Sequence, residues 1–136
     1  MITETRETAT PLPAIWARLV DVEDWPSWTK SMDRIELLDG GPLRIGSRAK
    51  IFQPNMPALV WQVTSLEENR EFTWENRQPG IHTYARHILT ATPNGTRIEL
   101  TLDQRGPLAW FARLIAGRKA TQYVRMEADG LASPAA

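Results

Sequence analysis

The chain has no cysteine, only two histidines and no excess of charge, with 16 Lys plus Arg against 16 Asp plus Glu. Each shortage excludes a class of chemistry. Without cysteine there is no disulfide, no thiolate nucleophile and no thiolate zinc site. His82 and His87 stand five residues apart, so on a regular strand they point to opposite faces and cannot share one metal. No metal site and no cofactor are expected. Balanced charge leaves no basic footprint for nucleic acid. There is no glycine-rich phosphate loop, no zinc motif and no internal repeat or linker. The first residues, Met1 to Glu7, are polar and charged, unlike a signal peptide or a membrane span. A soluble cytoplasmic protein is the expectation.

Tryptophan, by contrast, is abundant: the 136 residues hold six, Trp16, Trp25, Trp28, Trp61, Trp74 and Trp110. An indole buries roughly 150–250 Å² and carries an N–H that wants a partner, which suits both a core and the wall of an apolar pocket.

The length suits one domain, read here as residues 1–131, with 132–136 as a disordered tail. Residues 2–9 form a polar, Thr-rich strand near a sheet edge. Thr10-Pro11-Leu12-Pro13 reads as a capped helix start, and Ile15, Trp16, Leu19 and Val20 give that helix one apolar face. A second short helix is expected with Asp24 as N-cap and Pro26 in its first turn. The period then changes from 3.6 to 2, with strands expected at 33–39, 46–53, 58–66, 70–77, 80–91 and 96–105. Turns this short cannot hold crossover helices, so the sheet is an antiparallel meander.

For the last hairpin, a turn at Asn94-Gly95 would set Ala91 opposite Ile98, Leu89 opposite Leu100, His87 opposite Leu102 and Ala85 opposite Gln104. His87 and Gln104 then share the covered face, while His82, Tyr84 and Arg86 face solvent. One long helix follows, about Leu108 to Leu131, with Trp110, Leu114, Gly117, Thr121, Val124, Ala128 and Leu131 on one stripe. Beyond two turns the stripe is small, which leaves space between helix and sheet. Phe111, Ile115 and Met126 lie off it and are expected to be exposed, where they could form a partner or homodimer contact.

This order of elements is the α+β helix-grip arrangement: a bent antiparallel sheet of about seven strands wrapped around a long C-terminal helix, with two short helices after the first strand. Ile15-Trp16 with Asp21, Trp25-Pro26-Ser27-Trp28, Gly46-Ser47-Arg48-Ala49-Lys50-Ile51, Gln53-Pro54, Trp61-Gln62-Val63-Thr64-Ser65-Leu66 and Phe72-Thr73-Trp74 carry a family likeness. The His87 hairpin and Gly106-Pro107-Leu108 fit the same pattern. Together they resemble the START-like (SRPBCC) superfamily, specifically its polyketide cyclase/dehydrase-like branch. The resemblance implies a cavity for a small hydrophobic ligand between the sheet and the last helix. It implies Trp28, Met32, Met56, Trp61, Trp74, His87, Gln104, Leu114 and Val124 as wall positions. The first strand departs from the pattern in being so polar.

Two functions fit this sequence. One is binding of a hydrophobic or aromatic molecule, polyketide- or lipid-like. The other is a cyclase/dehydratase acting on a polyketide-like carbonyl, with His87 as acid/base and Gln104 on a carbonyl oxygen. No carboxylate is visibly placed to orient the His87 ring, so a core histidine bonded to Gln104 or to backbone stands beside the catalytic reading.

Overall fold

Alternate residues of Ile2–Thr8 (β1) turn inward, and the same period of two runs through the strands that follow. A computed structural model describes residues 1–134. After β1 come α1 (Leu12–Val20), a 3-10 helix (Val22–Ser27), β2 (Arg34–Leu37), β3 (Arg48–Phe52) and β4 (Leu59–Glu67). Then follow β5 (Glu71–Gln78), β6 (Ile81–Thr92), β7 (Gly95–Arg105) and α2 (Ala109–Ala132). The strands form one seven-stranded antiparallel sheet in the order β1-β7-β6-β5-β4-β3-β2. A bulge at Thr64, between Val63 and Ser65, breaks the β4–β5 register and bends the sheet toward α2. This is the helix-grip fold. Among the described residues no helix is long and apolar enough to cross a membrane.

The structure corrects several local expectations. The last hairpin pairs Leu89 with Ile98, His87 with Leu100 and Ala85 with Leu102, and Gln104 lies opposite Thr83. The turn is Pro93-Asn94, because proline already holds the φ of a first central turn position, and Thr92 therefore pairs with Gly95. This moves every partner by two residues and leaves the faces unchanged. Gly95 is obligatory for another reason: a Cβ there would strike the Thr8 carbonyl.

Thr10 does not cap α1. Pro11 is the N-cap, and the Thr10 carbonyl instead accepts the Thr96 hydroxyl at 2.8 Å. The second short helix is 3-10 and begins after Asp21 rather than Asp24. Part of the stretch expected from residue 132 as a tail is ordered onto α2. Ala132 ends α2 and the Ser133 hydroxyl donates to the Gly130 carbonyl at 2.6 Å, while 135–136 lie outside the described residues.

Trp25 is the hub of the core. It is 1% exposed, and its ring centroid lies 5.3 Å from Trp28, 5.2 Å from Trp74 and 5.5 Å from His87. Its Nε1–H donates to the Leu19 carbonyl at 2.9 Å, which ties the 3-10 helix back to α1. Phe72, Ile15, Leu19 and Ile98 complete the enclosed layer. Each such side chain contributes roughly 1.5–3 kcal/mol by leaving water.

Only the C-terminal half of α2 sits on this core. Val124, Ala128 and Leu131 are buried there, and Trp28 packs against Gly130. The Arg18 guanidinium donates to the carbonyls of Leu131 at 2.9 Å and Ser133 at 2.8 Å, placing a cation at the negative end of the helix. The polar first strand finds its reason here as well. Arg6 Nε donates to Asp129 at 2.7 Å, and Glu4 lies 3.1 Å from Arg6 and 3.7 Å from Arg125. The first strand thus clasps α2 through charge rather than lining a cavity.

Between this anchor and its first turn, where Ala109 is buried and the Leu108 N–H donates to the Gly80 carbonyl, α2 stands off the sheet. Trp110 and Leu114, expected inside, are 61% and 75% exposed. Phe111 and Ile115 are exposed as expected, and Met126 is half-buried. The stripe drawn from the helical period fits the anchored turns. Where the helix has no sheet beneath that stripe, its side chains overhang solvent.

The two α2 glycines give a test. A Cβ at Gly130 would collide with the carbonyl oxygen and ring of Trp28, whereas one at Gly117 meets nothing. In urea titrations Gly130→Ala should lose about 2 kcal/mol or more through forced displacement of the helix end. Gly117→Ala should gain up to about 1 kcal/mol from helix propensity. Equal effects would show that α2 is not seated on Trp28.

Candidate functional site

The lift of α2 leaves a cavity of about 270 Å³ between helix and sheet, near the small end of ligand pockets at ~300–1,000 Å³. Period-2 alternation puts Trp61 of β4, Trp74 and Asn76 of β5, Ala85 and His87 of β6, and Leu102 and Gln104 of β7 on its floor. The face of α2 beside its buried stripe supplies the roof through Ala112, Ala116, Ala120, Tyr123 and Glu127. Three alanines spaced four apart keep that roof high. Met56 and Ile115, both partly solvent-exposed, border the mouth, and buried Trp25 and His87 mark the deep end.

Of the wall positions implied by family resemblance, Met32, Met56, Trp61, Trp74, His87, Gln104 and Val124 meet around this one space. Trp28 and Leu114 do not. Trp28 is spent on Gly130 and Trp25, and its buried Nε1–H has no hydrogen-bond partner among the described residues. Leu114 is on the solvent side of α2.

His87 is 3% exposed and boxed by aromatics: Phe72 stacks at 4.2 Å, and Trp74 stands edge-on at 5.8 Å. Its Nδ1 lies 3.0 Å from the Phe72 carbonyl oxygen. A carbonyl only accepts, so Nδ1 carries the hydrogen and Nε2 keeps a lone pair. Burial pushes the imidazole pKa down to about 4, opposed in part by that bond to Phe72. At neutral pH the site therefore presents an uncharged acceptor. The partner of His87 is backbone rather than Gln104.

Glu127 was not legible as a site residue. It projects from α2 into the cavity lining as a half-buried side chain. Burial raises its pKa to about 7, and a hydrogen bond from the Ser31 hydroxyl at 3.2 Å opposes the rise. One cause thus acts with opposite sign on the two groups, since desolvation penalises whichever form is charged. The sequence signal was position: Glu127 is one turn from Tyr123, Val124 and Leu131 on an otherwise apolar helix face.

Two further polar groups on the wall are already engaged, whereas the Gln104 side chain has no hydrogen-bond partner among the described residues. Asn76 Nδ2 donates to the Val60 carbonyl at 2.9 Å, and the Tyr123 hydroxyl donates to the Pro54 carbonyl at 3.2 Å. Among the described residues no three His, Asp or Glu side chains gather to hold a metal. On the opposite sheet face His82 Nε2 is hydrogen-bonded to Glu75 at 2.6 Å, so it is half-buried and engaged rather than freely exposed.

The His87 shift fixes a pH dependence. An unfolded chain takes a proton on this histidine below about pH 6.5, while the folded site refuses it until about pH 4. Its contribution to stability is complete above the first value and is lost as pH falls through the second. The stability gap between wild type and His87→Gln should therefore change by about 2–3 kcal/mol in favour of the variant as pH falls across that window. Denaturant titrations at several pH values measure it, and parallel curves would mean that the imidazole is not desolvated.

Comparisons with known proteins agree with this architecture. A hypothetical protein from Helicobacter pylori, jhp0584, superposes with TM-score 0.81 at 15% identity, covering 96% of this chain and 84% of its own. A START superfamily protein from Mycobacterium smegmatis gives TM-score 0.67 at 16% identity over 96% and 95% of the two chains. The di-domain ARO/CYC StfQ of the steffimycin biosynthetic pathway gives 0.71 at 12% identity, covering 97% of this chain and 43% of that one. At such identities the likeness is one of fold. No curated protein matches the sequence. The family model described as polyketide cyclase / dehydrase and lipid transport matches residues 1–135, and the chain belongs to that family.

Proposed function

We propose that this protein binds one small, flat, uncharged and mainly apolar molecule, polyketide- or lipid-like, in the cavity between sheet and α2. The observation that carries the reading is the wall itself. Trp25, Trp61 and Trp74 present indole faces, alanines hold the roof away, and His87 offers one acceptor at the deep end. Such a site gains from apolar burial and fixes orientation with few polar contacts. In this reading Met32, Met56, Trp61, Trp74, Gln104 and Val124 are contact residues and His87 orients the ligand.

Catalysis on a polyketide-like carbonyl is the alternative, favoured by the free Nε2 of His87 and by the family description. A base with a pKa of about 4 accepts protons poorly at neutral pH, so the imidazole suits hydrogen bonding better than proton transfer. Binding is therefore the stronger reading.

A panel of aromatic ketones, phenols and fatty acids, read by melting temperature and Trp fluorescence, tests it. A true ligand at a hundredfold excess over its Kd should stabilise the fold by about 2.7 kcal/mol. Ala120→Leu, which fills the roof, should fold normally and lose at least about tenfold in affinity through the same cavity. If no compound moves the melting temperature, or if Ala120→Leu binds as tightly as wild type, the cavity is not the site.

A further inference from the structure

The binding reading leaves Glu127 unexplained, and the following inference rests on that reading. An apolar cavity would bind apolar ligands as well with leucine at this position. A carboxyl drawn partly out of water on this wall is costly unless it has work to do. It is also held in place. Thr29 and Ser31, 3% and 0% exposed, share a hydroxyl hydrogen bond of 2.9 Å, and Ser31 donates to Glu127 Oε1 at 3.2 Å. Gln53 braces the same turn by donating to the Ser31 carbonyl at 3.3 Å. Glu127 Oε2 has no protein partner among the described residues.

No charge neutralises this carboxyl. Lys119 borders the same cavity but stands eight residues back, about 12 Å along the helix. Tyr123 is committed to Pro54, and His87 across the cavity is neutral. From β1, Arg6 and Glu4 engage Asp129 and Arg125 on another face of α2. From α1, Arg18 is taken by the C-terminal carbonyls of α2, and Lys30 and Asp33, on either side of Ser31, are exposed.

We propose that Glu127 is the specificity-determining residue of the cavity: as the protonated acid it donates from Oε2 to a carbonyl of the ligand, while His87 Nε2 accepts from a ligand hydroxyl. The ligand class that follows is an uncharged hydroxy-carbonyl aromatic. A carboxylate in place of the carbonyl is excluded, because it would face the Glu127 oxygen with no cation beside it. Ionisation of Glu127 removes the donor, so affinity for the carbonyl ligand falls as pH rises through about 7.

Two probes that differ only at that group, hydroxy-acetylnaphthalene and hydroxynaphthoate, test the assignment by Trp fluorescence titration. For wild type, ketone affinity should drop about fivefold to tenfold between about pH 6 and about pH 8.5, the worth of one hydrogen bond. Glu127→Gln, which keeps a donor, should bind the ketone at all pH values as wild type does in acid. Glu127→Leu should bind weakly throughout. Hydroxynaphthoate should bind wild type more weakly than the ketone at the alkaline end. A flat wild-type profile, an unweakened Glu127→Leu, or naphthoate bound as tightly as ketone would overturn the proposal while leaving the cavity reading intact. If neither probe binds any variant, both fall. Carbon-13 NMR of labelled glutamate gives a readout that needs no ligand. One resonance should titrate near pH 7 and vanish in Glu127→Gln, and its absence would also sink the proposal.

Discussion

The seat of α2 on the tryptophan core is the constraint from which the rest of the molecule follows. Gly130 must lack a side chain because Trp28 occupies the space, and Val124, Ala128 and Leu131 are buried in the same contact. Fixing one end of a rigid helix fixes the course of the other. The N-terminal turns, tied to the sheet by the Leu108 N–H on the Gly80 carbonyl, then span above it, and the gap beneath them becomes the cavity. Trp25 links the two regions, being at once the hub of the core and part of the cavity's deep wall.

The electrostatics follow from the same geometry. An enclosed apolar space raises the free energy of any charge on its wall, so it holds His87 neutral and pulls Glu127 toward its protonated form. The Glu4–Arg6–Asp129 ion pairs lie outside it, on another face of α2. A site built in this way offers hydrogen bonds from groups that burial keeps at or near their neutral forms. That is the character expected of a pocket for neutral conjugated molecules, and it also explains why the balanced overall charge carried no information about the ligand.

Much of this was legible in the sequence, and the failures share a cause. Period-2 alternation located the strands and put His87 on the covered face, because a pleated strand allows only two faces. The hairpin register slipped by two because Pro93 was not weighed against Asn94-Gly95, an error that preserves faces and is therefore invisible to a hydrophobic pattern. Helical period puts Trp110 and Leu114 on the stripe of Val124, Ala128 and Leu131, but only the latter three are buried, since a straight period does not show where the sheet lies beneath the helix. Glu127 was missed since a lone glutamate on a helix ordinarily faces solvent, and only tertiary placement shows it against Ser31 and the cavity.

The central claim is that a ligand enters the space under α2 rather than touching the apolar overhang outside it. The six indoles report on this directly by two-dimensional NMR during addition of hydroxy-acetylnaphthalene. The account predicts large shifts at the Trp61 and Trp74 N–H groups and at the Ala116 and Ala120 methyls, with Trp16 and Trp110 unmoved. Shifts confined to Trp110, or absent from all six, would contradict it.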